Sequence, residues 1–146
     1  MEKDIFEQVD QYISDLVGGE DEVLKGVEKS IQEAKMPAIS VSTNQGKFLQ
    51  LMAKTCNAKK ILEIGTLAGY STIWMARALP KNGKLISLEF EPLHAQVAKG
   101  NIEKAGLSSQ VEIRIGKALD LLAQLDASKE GPFDMIFIDA DKPPYT

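Results

Sequence analysis

Four short apolar runs in the second half of the chain constrain its fold most. They are KKILEI, KLISLE, VEIRI and DMIFI, and they alternate with helical stretches. The first, second and fourth are almost continuously apolar, as strands covered on both faces are. Between them lie helical patterns over Tyr70 to Leu79, Pro92 to Ala105 and Lys117 to about Leu125. Pro92 suits a first helical turn and Gly106 a helix stop. Strand-helix alternation of this kind predicts an α/β fold with a parallel sheet and right-handed crossovers. In such sheets ligands bind outside the carboxyl ends of the strands, so the residues after each strand carry the functional reading.

The N-terminal part is helical in pattern. Ile5, Val9, Tyr12, Ile13, Leu16 and Val17 form one apolar stripe, and Gly18-Gly19 ends it. A second helix is predicted from Asp21 to about Lys35, closed by Met36-Pro37. ISVSTNQG, residues 39–46, reads as a polar loop, and KFLQLMAKTC as a third helix. The 146 residues suit a single domain, 1–146, with N-terminal helices over 1–57 and an α/β part over 58–146.

A net charge of −4 gives no electrostatic help with nucleic acid or an anionic membrane, and no apolar run reaches the roughly 20 residues a membrane span needs. The charged N-terminus lacks a signal-peptide core. Cys56 is the one cysteine and cannot form an internal disulfide, so a reducing, cytoplasmic setting is expected, with Cys56 packed as a small apolar residue.

The first strand ends in EIGTLAGYS. Gly65 and Gly69 bracket a turn into a helix, in GxxxG rather than GxGxxG spacing, so the dinucleotide fingerprint fails, and there is no P-loop lysine. With Glu63 ahead of it the turn is a poor phosphate cradle and better suits a ligand with a cationic amino-acid end. Taken alone, it also fits a plain tight turn. The second strand ends at Glu89, 24 residues after Gly65, where an acid can accept both hydroxyls of a ribose. After the third strand, Gly116 permits a close approach and Ala118 is small enough to lie beside a flat ring. The fourth ends in IDADK. Asp139 and Asp141 share a side if strand geometry persists, and Lys142 follows. A carboxylate here suits a hard cation, and a partly desolvated lysine can act as a base; a solvated acidic turn is the plainer alternative. Trp74 reads as core ahead of a substrate wall, His94 as a solvated helix histidine ahead of an adenine-edge contact, and no Ser-His-Asp set can be assigned.

In this order, EIGTLAGYS, LISLEFEP, GKALD and FIDADKPPY resemble the cation-dependent O-methyltransferases that use S-adenosylmethionine, a family that includes caffeoyl-CoA and catechol O-methyltransferases. ISVSTNQGKFLQLMA resembles the family's segment ahead of the first strand, so the likeness covers about residues 36–146. It implies a doubly wound, Rossmann-like class I methyltransferase sheet of seven strands, of which this sequence supplies four. Val41 then falls where the backbone contacts the cofactor's methionine part, Glu63, Gly65, Thr66 and Ser71 on the cofactor loop, Glu89 on its ribose, Ala118 on its adenine and Asp141 near its amino end. Asp139 matches a metal ligand, for Mg²⁺ first and Ca²⁺ or Mn²⁺ next, and Lys142 the general base. The resemblance also implies a phenolic small-molecule acceptor with neighbouring hydroxyls, no nucleic acid, a homodimer, and a domain that continues past residue 146 to about 220 residues. A tRNA-modifying enzyme of the same fold and a non-catalytic cofactor-binding module are the alternatives.

Overall fold

The computed structural model describes residues 2–140, with side chains from Asp4 onward; Asp141 and Lys142 lie outside the described residues. Three helices come first: α1 (Glu2–Val17), α2 (Glu22–Glu33) and α3 (Thr43–Thr55). Then strands and helices alternate as the pattern predicts: β1 (Lys60–Ile64), α4 (Tyr70–Ala76), β2 (Lys84–Glu89), α5 (Pro92–Lys104), β3 (Val111–Ile115), α6 (Ala118–Ala127) and β4 (Met135–Ile138).

The start of α3 corrects the sequence reading. TNQG is helical, not loop. Ser42 is the N-cap, its hydroxyl accepting from the Gln45 N–H while the Gln45 side chain accepts from the Ser42 N–H. This reciprocal capping box satisfies two N–H groups that a helix start otherwise leaves unpaired. Gly46 then lies flat against the indole of Trp74, where a Cβ would meet Cδ1 at 2.3 Å. Cys56 is a second correction: it ends α3 as its C-cap and is exposed, not packed inside.

The four strands form one parallel sheet in the order β3-β2-β1-β4. From β1 the chain winds outward through β2 and β3, then returns to β4 on the other side of β1. The direction of winding therefore reverses between the neighbouring strands β1 and β4, which is where α/β sheets bind ligands. Side chains alternate along β1. Ile61 and Glu63 face the layer containing α2, α4 and α5, whereas Leu62 and Ile64 face α6. The first layer is the larger core, built on Leu24, Val27, Ile73, Met75 and Leu85, all without solvent exposure. On the α6 side Leu62, Ile86 and Leu88 pack on Leu121 and Leu125, while Ile136 and Ile138 of β4 stay about half exposed. Among the described residues β4 pairs with β1 alone. No described helix is long and apolar enough to cross a membrane.

Candidate active site

Each strand ladder runs one residue past its strand. The N–H of Gly65 donates to Leu88 O, that of Gly116 to Glu89 O and that of Asp139 to Ile64 O, each at 2.9 Å. These bonds bring the turns after β1, β3 and β4 to one edge. Gly65 is required there. Its φ is +97°, and a Cβ would lie 2.1 Å from the Asp139 carbonyl oxygen. Leu67, at φ 49°, and Gly69, at φ 85°, complete a turn with three left-handed residues.

The turns enclose an open cavity of about 880 Å³, within the size range of small-molecule sites. Seven of the residues expected at the site line it: Gly65 and Thr66 from the β1 turn, Ser71 from the start of α4, Val41 from the segment before α3, Glu89 and Asp139 from the ends of β2 and β4, and Ala118 from the start of α6. His94 lines it too, with its side chain only 19% exposed and Nδ1 3.7 Å from Glu89 Oε1, contrary to the expected solvated position. Sequence reading passed over Tyr70, Phe90, Lys117 and Asp120, which also line the cavity. All four lie within five residues of a recognised strand-end position, so widening each strand-end window would have found them. The lining carboxylates Glu89, Glu91, Asp120 and Asp139 outnumber Lys117 and His94, an electrostatic balance that favours a cationic ligand over a phosphate.

Glu89 holds the turn as well as lining the cavity. Its Oε2 accepts from the N–H groups of Thr66 (3.0 Å) and Leu67 (2.8 Å), and its Oε1 from Glu91 N–H (2.9 Å). A carboxylate has about four acceptor sites, so roughly one remains for a ligand hydroxyl, not the two expected.

Glu63 is placed differently from the expectation. It is fully buried and does not line the cavity. Its carboxylate receives three hydroxyls: Ser71, Thr72 (2.5 Å) and Ser87 (2.6 Å). Because Ser87 gives its proton to Glu63, Thr66 Oγ1, 2.6 Å from Ser87 Oγ, must be the donor in that pair. Burial pushes Glu63 up to about 7, against the three hydroxyls, with the charge of Asp139 adding to the rise. Tyr70 sits between the cavity and the N-terminal region. Its hydroxyl donates to Glu20, and burial with that bond pushes it to about 12, so it stays a proton donor.

Among the described residues no group of three His, Cys, Asp or Glu side chains comes together as a metal ion would need. Asp139 lines the cavity, but the described residues do not complete a metal shell around it.

The profile of the family described as O-methyltransferase matches residues 13–146. The chain belongs to the O-methyltransferase family. It is 69% identical to a catechol O-methyltransferase of Niastella koreensis over 146 residues, all of this chain and 66% of that protein. The O-methyltransferase TomG of Streptomyces achromogenes, solved with SAM, superposes with a TM-score of 0.93 at 44% identity, covering 99% of this chain and 65% of TomG. The O-methyltransferase of Bacillus cereus, solved with SAH, superposes with a TM-score of 0.89 at 50% identity, covering 94% and 64%. The chain thus spans a little under two thirds of the length of these relatives. Its fold is that of the class I methyltransferases, as the strand pattern and the resemblance imply.

Proposed function

We propose that the whole protein is an S-adenosylmethionine-dependent O-methyltransferase acting on a phenol with neighbouring hydroxyls, of catechol, caffeoyl or flavonoid type, with a requirement for a divalent cation, Mg²⁺ first. The observation that carries this is the acidic cavity at the switch point of the sheet, where seven of the expected residues converge. When bound, S-adenosylmethionine supplies an electrophilic methyl group on a cationic sulfonium. The chain's own residues suit it. Glu89 has one acceptor site left beside the turn, Ala118 leaves room for a flat ring, and the carboxylate excess favours a cation. Gly65, with no side chain, lets the backbone of the turn come close to a bound ligand. Glu63 contributes through Ser71, a lining residue whose hydroxyl donates to it.

Asp141 toward the cofactor's amino group and Lys142 as the base that takes the acceptor proton are proposed from the resemblance alone. The catechol name of the Niastella koreensis relative supports the acceptor class. Asp139 is the residue this chain would offer to a cation. The exposed apolar stripe of α1 supports a homodimer as the assembled form.

A panel of vicinal phenols with methyl-labelled S-adenosylmethionine, with and without EDTA, tests the reading in the whole protein. Transfer to a diphenol that EDTA abolishes and Mg²⁺ restores is expected. Metal-independent transfer, or no transfer to any diphenol, would overturn it. Lys142→Ala should cut kcat by about 10²-fold or more with cofactor affinity nearly unchanged; equal losses in both would remove Lys142 as the base.

A further inference from the structure

The β1 turn holds three left-handed residues in five, one of them the non-glycine Leu67, so it needs support from its surroundings. One support, Glu89, takes the N–H groups of Thr66 and Leu67. The next peptide is held from the opposite side. Asn101 of α5 is only 3% exposed, and its amide Nδ2 donates to the Ala68 carbonyl (2.9 Å) and to Ser30 Oγ of α2 (2.8 Å). Ser30 passes its own proton to Val27 O (2.6 Å), so Ser30 Oγ can only accept from Asn101. Both groups facing the amide are therefore acceptors, and this fixes its orientation: turned over, Oδ1 would face a carbonyl oxygen. Both N–H donors of Asn101 are used, one on each neighbouring element.

We infer that Asn101 is a positioning residue for the cofactor turn, a strut from α2 through α5 to the Ala68 carbonyl that keeps residues 66–69 in their binding conformation. It does not touch the cavity, so it acts through the turn. The inference rests on the proposed cofactor site, but the strut itself can be measured without any ligand. A leucine at this position has nearly the same shape and removes both donors, leaving a buried carbonyl unpaired. Ile102, the next residue, is buried and its side chain has no polar atom to bond the turn, so Ile102→Val serves as a control for general loosening of α5.

Amide hydrogen exchange on the ligand-free whole protein is the first measurement. Asn101→Leu should speed exchange at Thr66, Leu67 and Gly69 about tenfold or more beyond the Ile102→Val control. Calorimetric titration with S-adenosylhomocysteine is the second, with affinity expected to fall about tenfold in Asn101→Leu and to hold in Ile102→Val. In turnover, KM for the cofactor should rise while KM for the acceptor holds. Unchanged exchange at residues 66–69, or faster exchange with unchanged cofactor affinity, would overturn the positioning role. A wild-type protein that binds no S-adenosylhomocysteine would instead remove the proposed function, and the exchange data would still decide whether Asn101 holds the turn.

Discussion

Glu63 shows how one buried carboxyl can carry both structure and a pH response. Its ordinary value is 4.5, and burial, opposed by the hydroxyls of Ser71, Ser87 and Thr72 and aided by Asp139, pushes it to about 7 in the folded protein. Between pH 4.5 and 7 the folded chain keeps a proton that the unfolded chain gives up. Stability on this account is greatest at low pH, falls as pH rises through that window, and levels off above 7. Glutamine mimics the protonated form. Glu63→Gln should therefore be more favourable, relative to the parent, at pH 8 than at pH 5, by roughly 2 kcal/mol for a shift of this size. Urea unfolding of both proteins at the two pH values checks it, and a pH-independent difference would mean that the carboxyl does not titrate as argued. The motif EIGTLAGYS made Glu63 visible as a site residue, but not its role. Which face of β1 meets α4, and that Thr72 and Ser87 converge on that face, depends on the pairing of β1 with β2, which local sequence does not encode.

At the scale of elements, α3 turns on two residues that a propensity reading places wrongly. Gly46 inside a helix should be replaceable by alanine with a gain of about 1 kcal/mol in an isolated helix. In the protein the sign reverses. The new Cβ would enter the buried Trp74 indole, and overpacking of this kind costs about 1–3 kcal/mol. Gly46→Ala should thus lower the urea midpoint of the protein yet raise the helicity of a peptide spanning 42–56, and a more stable protein would show that the indole can move. Ser42→Ala, by contrast, should lower both, by about 1 kcal/mol, because the cap is local. The same contrast explains what could be read in advance. Every strand and the α4 to α6 helices follow from periodicity and glycine or proline stops, because those signals are local. The first turn of α3 was missed because polar TNQG imitates a loop, although Ser42 with Gln45 three residues on is a capping box in plain view. His94 looked solvated because only the tertiary fold brings α5 beside the cavity.

At the scale of the whole molecule, α1 is the element the rest of the chain explains least. Its apolar stripe at Ile5, Val9, Tyr12 and Leu16 follows helical spacing, which usually marks a face turned to the core. Here it is turned outward, with Phe6 70% and Leu16 67% exposed. Its recorded side-chain ties to α3 are polar: Ser14 Oγ donates to Asn44 Oδ1, and Asn44 Nδ2 donates to Asp10 O. Phe48, Leu51 and Met52 of α3 add a further exposed apolar strip. A 16-residue helix is marginal in water without a covered face, and contiguous apolar surface of this kind marks an interaction site. A second copy is the proposed cover, and a two-fold pairing would place the same stripe on both sides of the contact. The whole protein should then sediment as a dimer at micromolar concentration, and Val9→Asp with Leu16→Asp should make it a monomer, since each buried aspartate would lack a partner. S-adenosylhomocysteine binding should survive in that variant, because neither residue lines the cavity. A parent protein that sediments as a monomer, or a double variant that remains a dimer, would rule out α1 as the interface.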